Sequence, residues 1–174
     1  NIYIKYEGTP LKADEYTRAL HERYPKNLFY SLRRSEVLFA KKEYAEAEKI
    51  AHELYKSDKK FFVGCACILY GMLYEEFFKN PATSKLFYTK ALQLFKETQN
   101  PEIDYLSFAY AGLGRYYNQI GDKKMAIAYY EKCKEIAEYA TLIKESEAFL
   151  SKNKWEVKKT PYTFPFGFIF VLLQ

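Results

Sequence analysis

YAGLGRYYNQIGDKKMAIAYYEKC, residues 110–133, reads as two short antiparallel helices joined at a single glycine. Gly121-Asp122 closes the first helix and supplies a capping side chain to the second. Gly114 and Ala126 lack bulk where the two helices would cross, while Tyr110, Tyr117 and Tyr130 have the size to fill the space around that crossing. A hairpin of this kind cannot bury its apolar faces alone, so the stretch predicts an all-α chain built from several such pairs.

Working outward, the same arrangement recurs. KADEYTRALHERYP carries Ala13, Tyr16, Leu20 and Tyr24-Pro25 after Thr9-Pro10, a cap residue followed by proline at the first helical position. Asn27 starts the next helix, LFYSLRRSEVLFA, which runs to a turn at Lys41-Lys42-Glu43. Tyr44, Ala47, Ile50, Ala51 and Leu54 then give the apolar stripe of a returning helix. From Ala13 to Ala47 is 34 residues. A third unit opens near Phe61 with FFVGCACILYGMLYEEFF, places Gly71 and Tyr74 near a crossing, restarts at Asn80-Pro81, and continues its stripe through Ala91 and Phe95. Its looser spacing implies added turn residues and longer helices. Asn100-Pro101-Glu102 begins the next first helix with cap, proline and early acid. A last helical segment, TLIKESEAFLSKN at 141–153, reads as a terminal cap or the start of a further repeat.

The pattern Tyr110, Leu113-Gly114, Tyr117, Gly121-Asp122, Ala126, Tyr130 and Cys133, the last in place of a final alanine, resembles the tetratricopeptide repeat, a helix–turn–helix of about 34 residues. The resemblance covers residues 1–153 as about four repeats, closest in the unit from Tyr110 and looser over 61–99; Arg34-Ser35 stands where the family usually shows Leu-Gly. It implies a right-handed α-solenoid whose first helices line a concave groove for an extended peptide or a partner's helix. By helical phase the groove candidates are Phe29, Arg33, Glu36 and Phe39, then Leu69, Met72 and Glu76, then Phe108, Arg115, Asn118 and Gln119. The lysine and asparagine set with which some members hold a terminal carboxylate is replaced here by Leu32, Glu36, Phe108 and Gly112. A mixed aromatic groove with Arg33 and Arg115 implies an apolar or amphipathic segment of some acidic character.

Composition narrows the remaining classes. With 174 residues, 49% hydrophobic and 28% charged, the chain can bury a core without staples, and its 19% aromatic content supplies spacers between helical layers. Cys65, Cys67 and Cys133 are odd in number, and neighbours two apart on a helix diverge; with only His21 and His52 to join them they read as buried side chains, with neither a metal nor a cofactor site implied. The absence of a disulfide framework leans towards a reducing, cytoplasmic compartment. No signal peptide opens the chain, and Asn1 with the helix-like NIYIKYEG of residues 1–8 reads as the end of a helix that starts upstream. Net charge is +5, but 27 basic and 22 acidic residues are interspersed, which favours a solvated surface over a nucleic-acid footprint. No nucleophile with a base and orienter appears, Glu75-Glu76 diverge on their helix, and the GLG of residues 112–114 lies inside a helix rather than after a strand, so a non-enzymatic protein is expected.

Residues 154–174 differ in kind: a basic linker around Trp155 leads to the apolar PYTFPFGFIFVLLQ, non-helical at Pro161, Pro165 and Gly167, and too short to span a bilayer. Three arrangements stay open for it: packing on its own repeats, pairing with a second copy as a homodimer, or an extension foreign to the fold. The expectation is therefore a scaffold for a protein or peptide segment, with a self-associating assembly module as the alternative.

Overall fold

The computed structural model describes residues 10–98 and 103–157; the expectations for residues 1–9, for the Asn100-Pro101-Glu102 cap and for residues 158–174 lie outside that range. Eight helices occupy the described residues, with no strand among them: α1 (Pro10–Arg23), α2 (Leu28–Ala40), α3 (Tyr44–Tyr55), α4 (Lys60–Glu76), α5 (Pro81–Lys96), α6 (Ile103–Gln119), α7 (Lys123–Ile136) and α8 (Ala140–Val157). None is long and apolar enough to cross a membrane.

Local chemistry sets the boundaries. The Asn27 side chain accepts from the amides of Phe29 and Tyr30 at 3.0 and 3.4 Å, that of Asn80 from Thr83 at 3.1 Å, and that of Asp122 from Met125 at 3.0 Å. Each satisfies an amide that a helix start leaves without an intrahelical acceptor. The turns closing α2, α4 and α6 each contain one left-handed residue: Lys42 at φ 63°, Lys79 at φ 52° and Gly121 at φ 82°. At the first of these the Lys42 and Glu43 amides reach back to the carbonyls of Phe39 and Leu38, both at 2.9 Å, the closing pattern of a left-handed helix end. α8 runs four residues past the expected end at Asn153, because no helix breaker stands between there and Pro161.

Every helix packs on the next, and α2, α4, α6 and α8 also pack on one another in that order. Consecutive helices are antiparallel: Gly64 faces Phe95 while Gly71 faces Tyr88 across α4 and α5. The alternate helices are parallel, since Phe61 meets Tyr105 near the starts of α4 and α6 and Glu75 meets Arg115 near their ends. The result is a stack of helix hairpins with a helical-repeat-like architecture.

The core repeats with the chain. In α3, α5 and α7 the fourth residue after the cap is Ala47, Ser84 or Ala126, the eighth is Ala51, Tyr88 or Tyr130, and the eleventh is Leu54, Ala91 or Cys133; all nine are buried. Ala47 to Ser84 is 37 residues and Ser84 to Ala126 is 42, so the 34-residue period lengthens through the looser middle unit. The Arg34-Ser35 departure also has a structural reason. Ser35 is buried with its hydroxyl on the Leu32 carbonyl at 2.7 Å, and Arg34 reaches across to the largely buried Asp14 of α1, which Lys41 also holds at 2.8 Å. The Lys41 bond above all keeps the Asp14 carboxyl below its ordinary pKa.

The two ends of the stack differ. On α8, Leu142, Ser146, Leu150 and Asn153 are buried while Thr141, Lys144, Glu147, Ser151 and Lys152 are exposed, so its outer side is largely polar. On α1, Ala13 is buried, but Tyr16 and Leu20, together with Tyr24 just past its end, all expected in the apolar signature of that unit, are 66%, 36% and 44% exposed. Among the described residues no helix packs on that side.

Candidate binding face

α2, α4 and α6 each present a pair of residues three apart to a common cleft: Glu36 and Phe39, Leu69 and Met72, Tyr105 and Phe108. Ile68 and Tyr139 complete its lining, and its free volume of about 20 Å³ is room for a single water. Five of the eleven sequence candidates thus meet in one place. Glu36, Phe39 and Leu69 are buried and form the floor, whereas Met72 and Phe108 are half-buried and form the rim.

The floor is braced by polar bonds. Arg33 Nη1 donates to both Glu36 oxygens, at 3.1 and 3.0 Å, and to the Tyr105 hydroxyl at 2.9 Å. The Tyr105 hydroxyl in turn donates to Glu36 Oε1, tying α2 to α6 across the face of α4. Burial, and next the Glu36 charge, push the Tyr105 phenol well above its ordinary pKa, which keeps it a donor.

A second bracket lies towards the helix ends. The Arg115 guanidinium bonds Glu75 of α4 through Nε and, at 3.0 Å, through Nη2, while Nη1 meets both oxygens of Glu145 on α8 at 3.1 and 3.0 Å. The Tyr88 hydroxyl donates to Glu75 at 2.8 Å and the Tyr130 hydroxyl to Glu145 at 2.9 Å. One cation, two carboxylates and two phenols therefore link α4 through α8, with every charged group in a charge-assisted bond.

The other candidates are dispersed. Phe29 lies at the opposite end of the helices, 51% exposed, its ring 4.8 Å from that of Phe62. Glu76 is exposed and accepts from the Tyr44 hydroxyl at 3.3 Å. Asn118 accepts from Lys123 Nζ at 2.9 Å, and Gln119 is exposed at the end of α6. Arg33 and Arg115, on which the expected acidic character of a bound segment rested, are both committed to carboxylates of their own chain.

Sequence reasoning missed Glu75, Glu145, Tyr88 and Tyr105 as partners. The divergence of Glu75 and Glu76 was legible and is observed, but not that Glu75 would meet Arg115 forty residues on. A usable signal was the tyrosine eight residues after the cap in both α5 and α7, opposite Gly71 and Gly114. Cys65, Cys67 and Cys133 are buried free thiols, and burial pushes Cys67 up to about 12. Among the described residues, no three His, Cys, Asp or Glu side chains gather as a metal site. No protein-family model, curated protein or solved structure matches this chain.

Proposed function

We propose that the chain is a non-enzymatic, tetratricopeptide-like scaffold that binds a peptide or helical segment of a protein on the face formed by α2, α4, α6 and α8. The observation that carries this reading is the cleft where Phe39, Leu69, Met72 and Phe108 meet, with a polarizable methionine and a half-buried phenylalanine at its rim. Such a rim repacks around an apolar anchor at low cost. Because Arg33 and Arg115 are engaged within the chain, specificity comes from the shape of an apolar anchor rather than from capture of an acidic group.

The test is selection of peptides from a displayed random library on the full chain, followed by affinity measurement against variants. Met72→Glu and Phe108→Glu are expected to weaken a selected peptide by at least about tenfold, since each places a charge in an apolar contact. Leu86→Glu, at a 67% exposed position on α5, is expected to leave affinity unchanged. The reverse order, or peptides indifferent to all three, overturns the reading. The exposed Tyr16 and Leu20 of α1 favour a second reading, an assembly module that self-associates through the end of the stack. That reading predicts a concentration-dependent mass in light scattering that Leu20→Lys abolishes.

A further inference from the structure

The edge of the stack at which α2 and α4 begin holds an open pocket of about 680 Å³, a size common among ligand pockets. Tyr24, Leu28, Phe29 and Phe62 give it an apolar lining, Lys26 and Lys59 are its charged groups, and no acidic side chain is among the residues that line it. Phe62 is buried 4.8 Å from the Phe29 ring, whereas Phe29 and Tyr24 are both exposed. The Asn27 side chain, by accepting from the Phe29 amide, fixes that ring on the first turn of α2. Both lysines are exposed, and neither forms an ion pair with a described residue, unlike Arg33, Arg34, Lys41 and Arg115. Arg23, whose guanidinium lies 5.4 Å from the centre of the Tyr24 ring, adds a third cation beside the pocket.

We propose that this pocket docks a short acidic peptide segment of a partner protein, one aromatic side chain of which packs against Phe29, Phe62 and Tyr24 while carboxylates on either side of it meet Lys26 and Lys59. Open rings beside cations that have no carboxylate of their own are the complement of an apolar anchor flanked by negative charge. A single-stranded nucleic acid would stack on the same rings, but it needs cations along several successive phosphates. Here the groove that adjoins the pocket at Pro25, Lys26 and Leu28 is lined by Glu43, Glu46 and Glu53, which repel a continued run of negative charge. The pocket lies at the opposite end of α2 and α4 from the cleft of Met72 and Phe108, and its occupation does not depend on what that cleft binds.

The probe is a fluorescein-labelled peptide, GEEWEEG, titrated with the full chain by fluorescence anisotropy beside GKKWKKG, GEEAEEG and a short oligothymidylate. GEEWEEG is expected to bind at least about tenfold more tightly than the other three, and more weakly as salt is raised, because the lysines it meets are exposed. Lys26→Glu together with Lys59→Glu is expected to weaken it by about tenfold or more, and Phe29→Ser by a similar factor. The charge reversals touch exposed side chains alone and keep the test decisive should Phe29→Ser fail to fold. Met72→Glu and Phe108→Glu are expected to leave this affinity unchanged, which separates the pocket from the face proposed above. Absence of binding at millimolar peptide, a preference for GKKWKKG or the oligothymidylate, equal binding of GEEAEEG, or an affinity that falls with Met72→Glu and not with the lysine reversals each overturns the proposal.

Discussion

At the residue scale, the Tyr88 ring fixes how closely three helices approach. It is fully buried between Gly71 of α4 and Gly112 of α6, and its hydroxyl is held by Glu75. A Cβ at Gly112 would stand 2.1 Å from the ring and one at Gly71 2.5 Å, whereas at Gly114 the nearest atoms, on Tyr130, lie at 3.0 Å. Alanine gains about 1 kcal/mol over glycine within a helix, so the two contacts have opposite consequences. Gly112→Ala is expected to cost roughly 1–3 kcal/mol net through overpacking, because the Tyr88 ring has glycine walls on both sides and nowhere to move. Gly114→Ala is expected within about 1 kcal/mol of the parent, since a shift of a few tenths of an ångström in Tyr130 relieves the contact. Urea unfolding of the two variants checks the order, and matching midpoints would remove Tyr88 from its seat. The sequence marked Gly114 by its place in the helix-crossing pattern, whereas Gly112 entered only through an absent carboxylate clamp and an absent phosphate loop, because the partner of Gly112 lies on a different hairpin.

At the scale of elements, the turns after α2, α4 and α6 perform one task with different residues. Each reverses the chain through a left-handed residue, at a cost of about 1 kcal/mol for a side chain bearing a Cβ and almost none for glycine. Lys42→Gly is accordingly expected to raise stability by up to about 1 kcal/mol, and Gly121→Ala to lower it by a similar amount. Thermal or chemical unfolding of this pair measures both; a loss on Lys42→Gly would show that the lysine side chain contributes more than its backbone costs. The device was visible from sequence only at Gly121. The same geometry at Lys42 and Lys79 leaves no compositional trace, since lysine has no preference for the left-handed region that a sequence pattern could reveal.

Across the whole molecule, buried phenols distribute the sensitivity to alkali. Burial above all pushes Tyr70 up to about 12 and also raises Tyr88, Tyr105 and Tyr130 well above their ordinary value. In the unfolded chain tyrosine titrates near 10. A folded pKa above the unfolded one means that the stabilisation is complete below about pH 10 and is lost as pH rises through the folded values. The expected outcome is a cooperative loss of helix circular dichroism above about pH 10, with a jump in tyrosinate absorbance at the same pH. Independent titration of all the phenols near 10 with the helices intact would contradict the burial assigned to them. Below neutrality the depressed Asp14 carboxyl works in the opposite sense: its stabilisation is present above about pH 4 and fades as pH falls through its lower folded value.

By itself the sequence determined the elements. The caps at Asn27, Asn80 and Asp122, the buried spacing that begins at Ala13 and Ala47, and the glycine–tyrosine crossing at Gly114 and Tyr130 are local patterns read over four to a few tens of residues. Tertiary structure alone decided the face. Arg33 with Tyr105, and Arg115 with Glu75 and Glu145, meet over 72, 40 and 30 residues, and whether an arginine is free to greet a partner depends on which carboxylate the stacked helices bring beside it. Periodicity fixes the side of a helix on which a residue lies, but the angle and offset between neighbouring helices fix what it touches, and those follow from the summed packing of the whole stack.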